Sequence, residues 1–117
     1  ELYLLPRADV EIDDFSEINE ELIDNLAKME PFGNGNAEPI LKITKATVLS
    51  VRRMGADGQH VKLTLRDKND VALQMLAFNA PEEFFREVGD EVSAWFQPTV
   101  NEWQGMRSVE GRLLHLA

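Results

Sequence analysis

Hydrophobic positions along the 117-residue chain change period near residue 40. From Ser16 onward, Ile18, Leu22, Leu26 and Met29 recur at spacings of three and four, which puts them on one face of an amphipathic helix. Ser16 is the expected N-cap, and Glu17, Glu20 and Glu21 fall in the first turn, where the helix dipole favours acids. Ahead of it, Val10 and Ile12 in "ADVEIDDF" alternate as in a short strand. Beyond residue 40 the period is two. Strand patterns rich in β-branched and aromatic residues run over 40–53, 60–67, 71–79, 91–100 and 106–115, separated by turns at "GADGQ", "DKND" and "NEWQG". Between the third and fourth strands, "APEEFFREVG" reads as a short helix. Pro81 stands near its start, Glu82 and Glu83 in its first turn, Phe84, Phe85 and Val88 as its apolar stripe, and Gly89 as its stop.

The alternation also assigns faces. In the second strand Val61, Leu63 and Leu65 point inward and Lys62, Thr64 and Arg66 outward. In the third, Val71, Leu73, Met75 and Ala77 look inward, which leaves Gln74 and Phe78 outward. Phe78 is read as packed under a loop or helix rather than offered to a ligand. Trp95, within "SAWFQ", is read as packing. Trp103 sits inside a turn, where it either stacks on a base or covers a barrel end.

Five strands with a helix between the third and fourth is the order of the OB-fold, a small Greek-key barrel that commonly binds oligonucleotides on strands two and three and on the flanking loops. The expected architecture is mainly β: a five-stranded OB barrel over residues 40–117, preceded over 1–39 by a strand, an amphipathic helix and a joint, the whole forming one compact unit. A chain of this length buries roughly two-thirds of its unfolded surface. Starting at Glu1 rather than Met, it has the look of a piece of something longer.

Composition narrows the chemistry. With no cysteines, disulfides, zinc-thiolate sites and cysteine nucleophiles are excluded, in keeping with a reducing cytosol. No stretch is apolar for long enough to span a bilayer, so no membrane partner is expected. The net charge of −9 argues against a nucleic-acid partner until its distribution is read. Residues 1–39 hold eleven acids against Arg7 and Lys28, whereas 40–117 hold ten of each sign. Within the neutral part, Lys42, Lys45, Arg52, Arg53, Lys62, Arg66 and Lys68 face only Asp57 and Asp67. Such a run makes either a basic binding face or a solvated strand face.

The segment Met29-Glu-Pro-Phe-Gly-Asn-Gly-Asn-Ala-Glu-Pro39 admits two readings. Gly33 to Asn36 form a backbone nest for phosphate, or Pro31 stops the helix, the glycines take positive φ and Phe32 pins a joint to the barrel. No Lys-Ser/Thr pair and no following helix support the cradle, so the joint is favoured. That segment, followed by "GQHVKLTLRD", "LAFN" and "NEWQG" in order, resembles the C-terminal OB domain of RecJ-type single-strand-specific exonucleases. The resemblance covers nearly the whole chain. It departs at Ala37, where a proline is expected, and at Val61, where Leu is usual, and neither change disturbs the fold.

The resemblance implies a cytoplasmic parent that degrades single-stranded DNA from its 5′ end in repair and recombination. Its Mg²⁺ or Mn²⁺ would be held by Asp and His motifs of an upstream DHH phosphoesterase domain. None of those motifs is in this chain, and no catalytic or metal-binding residue is assigned: His60 and His115 are isolated, and Asp13-Asp14 and Glu82-Glu83 belong to helix starts. The chain is expected to be a non-catalytic accessory domain that binds single-stranded DNA through Arg52, Arg53, His60, Lys62, Arg66, Gln74 and Trp103. Its partners would be the upstream nuclease domains and a single-strand-binding protein. The alternative is a scaffold module that packs on the nuclease core or takes the acidic tail of that protein.

Overall fold

A computed structural model describes Ala8, Val10 to Ile18, Glu21, Leu22 and residues 40–117, with the side chains of Asn101, Glu102, Trp103 and Arg107 excepted. The PFGNGN joint and the helical positions Leu26 and Met29 lie outside the described residues. Among the described residues there are six strands: β1 (Val10–Ile12), β2 (Leu41–Met54), β3 (His60–Arg66), β4 (Ala72–Ala77), β5 (Glu91–Trp103) and β6 (Met106–Leu116).

The last five close into a barrel, as the OB order requires. β2 pairs antiparallel with β3 and with β5, β3 with β4, and β5 with β6, while β4 joins β6 in parallel through Met75–Gly111 and Leu76–Arg112. β1 lies parallel to the first residues of β2, Val10 to Ile12 opposite Leu41 to Ile43. β2 changes partners along its length, and the bend this needs is taken up at irregularities between Ile43 and Ala46 and between Val48 and Ser50. Lys45, at the first of them, adopts a left-handed φ of 56°, a conformation that usually costs a non-glycine residue about 1–2 kcal/mol.

The inward set fills the barrel. Leu41, Ile43, Val48, Val61, Leu63, Leu65, Met75 and Phe96 are fully buried, with Ile12 and Phe15 packed at one end. Gly111 is glycine for a packing reason, since a Cβ there would collide with Met75 Sδ and stand 3.0 Å from Phe96 Cδ2. Phe15 meets Phe96 edge to face at 6.3 Å. Ile18 and Leu22 also pack on this core, and Glu21 and Leu22 are helical.

Three expectations change. The first turn after β1 is a 3₁₀ turn, Phe15–Glu17, capped by Asp14 rather than Ser16: Asp14 Oδ1 accepts from Ser16 N–H at 3.0 Å. Asp14 wins because its carboxylate also accepts from Asn69 Nδ2 at 3.0 Å, across to the β3–β4 turn. The helical segment between β4 and β5 is present but shorter than "APEEFFREVG", being a 3₁₀ turn over Glu82–Phe84. Its later amides are claimed by other partners: Glu87 N–H donates to Asp90 Oδ2 at 3.0 Å and Gly89 N–H to Val48 O at 2.8 Å. Stitching to β2 thus outcompetes an isolated two-turn helix, which is marginal in any case. Val88 is therefore exposed rather than part of an apolar stripe. Val71, expected inward, is 41% exposed, because it belongs to the turn, where its N–H and C=O both bond Asp67.

Asp67 is the polar centre of this end. It is 4% exposed, yet its carboxylate accepts three backbone N–H groups, from Phe15 at 2.7 Å, Asn69 at 2.8 Å and Val71 at 2.9 Å. Burial pushes its pKa up, but the amides of Phe15, Val71 and Asn69 and the charge of Lys68 outweigh it, and the carboxyl stays below the ordinary value. Since the folded value is depressed, the stabilisation is complete above the unfolded-chain value of about 3.9 and is lost as pH falls through the lower folded value. Asp67→Asn is expected to cost on the order of 1–3 kcal/mol at neutral pH and to flatten that acidic limb. Urea unfolding of both proteins between neutral and acidic pH measures this; an unaltered acid limb in Asp67→Asn would refute it.

Candidate nucleic-acid interface

The burial of Val61, Leu63 and Leu65 dictates that His60, Lys62, Thr64 and Arg66 face outward from β3. Strand pairing carries this face sideways. Arg52 stands opposite Lys62 and Ser50 opposite Thr64 on the β2 side; Leu76 stands opposite Lys62 and Gln74 opposite Thr64 on the β4 side. β6 continues the row, because Leu76 pairs with Arg112. One band across the outside of the barrel therefore runs Arg52, Lys62, Leu76, Arg112, three cations around one half-buried apolar side chain.

These cations are positioned by light contacts. Lys62 Nζ lies 3.9 Å from Glu110 Oε2, and Arg66 Nε lies 3.5 Å from Asp70 Oδ1. Arg112 donates to Gln97 Oε1 from Nε at 3.1 Å and again from Nη2. The exposed Arg66–Asp70 contact contributes little stability, whereas Arg112 is anchored on the buried Gln97; together these contacts hold the charges on the outer face. Arg52 and Gln74 are exposed.

Arg53 does not join them. Adjacent strand residues point to opposite faces, and Arg53 is paired with inward-facing Val61. Its guanidinium lies 3.8 Å from the centre of the Phe85 ring, donates to Gly58 O at 3.4 Å and approaches Glu82 at 4.0 Å. Arg53 thus closes the barrel end beside the Glu82–Phe84 turn. The rest of the basic stretch is dispersed as well. Lys42 lies 4.8 Å over the buried ring of Trp95, which meets His115 edge to face at 5.0 Å, while Lys45 and Lys68 are exposed at the bulge and in the β3–β4 turn.

At the hairpin end of the face, His60 Nδ1 accepts the Asn79 N–H at 2.9 Å, which leaves Nε2 as the ring's donor. The His60 ring meets Phe78 edge to face, centroids 5.1 Å apart. Phe78 is 65% exposed, so the expectation that it packs under a loop or helix is corrected. β4 ends at Ala77, which is inward and buried, and the following turn buries Phe84. Trp103 ends β5 and pairs with Met106 across the Gln104-Gly105 turn; its side chain lies outside the described residues. Sequence reading overlooked Arg112 and Leu76. Arg112 alternates with Gly111 and Leu113 in "GRLLHL", a signal that was present, but its place beside Leu76 rests on a parallel pairing that no local pattern announces. Among the described residues no group of three or more His, Cys, Asp or Glu could hold a metal ion.

The family model described as "RecJ OB domain" matches residues 8–115. The single-stranded-DNA-specific exonuclease RecJ of Bacillus subtilis (strain 168) is 30% identical over 92 residues, covering 78% of this chain and 12% of that protein. The crystal structure of RecJ from Thermus thermophilus in complex with Mn²⁺ superposes with a TM-score of 0.60 at 26% identity, over 83% of this chain and 13% of that one. The corresponding Mg²⁺ complex gives 0.60 at 25% identity, over 82% and 14%. The chain thus spans only about an eighth of the length of these relatives.

If Arg53 secures the barrel end, Arg53→Ala is expected to cost about 0.5–1 kcal/mol of stability, the worth of an exposed cation–π contact, and to leave the salt dependence of oligonucleotide binding unchanged. Urea unfolding and salt titration of the variant check both halves; a reduced salt slope would return Arg53 to the binding face.

Proposed function

The chain belongs to the RecJ OB-domain family, and from that premise we propose that it is the non-catalytic domain through which a RecJ-type exonuclease holds single-stranded DNA. The observation that carries this reading is the band Arg52, Lys62, Leu76, Arg112 on the outer side of β2, β3, β4 and β6, with His60 and Phe78 at its hairpin end. Cations on a sheet can follow a phosphate backbone, and the neighbouring aromatic can take a base. A duplex fits such a curved face less well, because its bases are already stacked on one another.

Hydrolysis is assigned to other parts of the parent protein. The related structures hold Mn²⁺ and Mg²⁺, and no step of the reaction is proposed for this chain. The domain's contribution is to raise the local concentration of strand near the active site and to set its path. A second reading, docking on the nuclease core or on an acidic tail, is favoured by the carboxylates already beside Lys62 and Arg66, which reduce the charge left for phosphate.

Two measurements separate these readings. The 117-residue chain is expected to bind single-stranded oligonucleotide in preference to duplex. Arg52→Ala is expected to lower the slope of log K against log salt by about 0.7, the single-strand value for one phosphate contact. Fluorescence anisotropy at several salt concentrations gives both, and absence of binding even at low salt would leave the docking reading. The same chain incubated with Mg²⁺ or Mn²⁺ is expected to release no nucleotides from that strand; metal-dependent release abolished by one carboxylate substitution would overturn the non-catalytic assignment.

A further inference from the structure

We propose that Phe78, supported by His60, is the base-stacking platform of this face, the point at which one nucleobase of the bound strand is held. The proposal rests on the single-strand-binding reading and names a site within it. A solitary exposed phenylalanine needs no explanation in general, but this one is built into place. The chain turns immediately after it at Asn79, which takes a left-handed φ of 50°. The Asn79 N–H is tied to His60 Nδ1 at 2.9 Å, and the Ala80 N–H to Gln59 O at 2.7 Å. The residues that follow Phe78 are thereby fastened to the β2–β3 hairpin.

What remains open is an aromatic surface with a rigid edge-on support, its ring inclined at 72° to the imidazole and 65% exposed. Its setting suits a nucleotide. Phe78 stands one position beyond the last β3–β4 pair, Val61 with Ala77. The next outward row along the strands, about 7 Å away by strand geometry, is the one that holds Arg52, Lys62 and Arg112. A base over Phe78 leaves its phosphates on the side of the sheet that carries those cations. Stacking depends on the π-face that every base has, so the platform is tolerant of sequence.

The test uses the 117-residue chain and an oligothymidylate of about 12 nucleotides, within the span of one OB fold, titrated at several salt concentrations. Phe78→Ala is expected to weaken binding by about 5- to 150-fold, the range set by loss of one stacked base, with the salt slope unchanged because stacking releases no counterion. Phe78→Leu, which keeps the apolar bulk, is expected to lose as much, and Phe78→Trp to bind like the wild type. An oligonucleotide of the same length whose sites are all abasic is expected to bind wild type and Phe78→Ala equally. Thermal unfolding of each variant reports folding; should Phe78→Ala fail to fold, the Leu and Trp variants carry the comparison. If the wild type binds and Phe78→Ala or Phe78→Leu binds as tightly, the platform is refuted while the single-strand-binding reading stands. If the wild type itself does not bind, that reading falls and the platform with it.

Discussion

A five-stranded barrel closes here only because β2 pairs along both of its edges, and it can do so only by bending. Its first residues hold β1 on one edge and β5 on the other; its later residues hold β3. The bend is concentrated at Lys45, in a left-handed conformation, and at the extra residue near Leu49. Bulges of this kind increase local twist and redirect a strand. Every later feature depends on that redirection. It brings β6 beside β4, and so puts Arg112 next to Leu76.

Closure also explains which polar groups are buried and why they are tolerated. The open end of the barrel near Phe15 is filled by an aromatic from outside the five strands. Its backbone N–H would be orphaned there without Asp67. A carboxylate that accepts three amides can remain ionised in a buried position, where an unpaired one could not. The same residue shapes the β3–β4 turn through Asn69 and Val71. One side chain therefore joins the N-terminal segment to the hairpin whose outer face carries the candidate site.

The binding face is a by-product of inside-out alternation on a curved sheet. Consecutive residues separate: Arg52 goes to the face and Arg53 to the barrel end. Residues far apart in sequence meet, as Lys62 and Glu110 do. Of the seven bases between Lys42 and Lys68, only Arg52, Lys62 and Arg66 share this side. Charge counted along the chain overstated the patch from that stretch and omitted the cation that β6 supplies.

The five barrel strands, their turns and the inward residues of β3 are set by local pattern, because a period of two combined with Gly, Asp and Asn turn chemistry leaves little choice of element or face. The family resemblance likewise rests on contiguous residues. Tertiary structure alone decided the rest. The helical segment before β5 shortened because Val48 O took an amide that a helix would have used. Val71 turned outward because Asp67 needed its N–H, and Phe78 stands exposed against His60 while the next turn buries Phe84. In each case a partner distant in sequence offered a hydrogen bond or a packing site that outweighed the local preference, and a period read along one strand carries no information about such a partner.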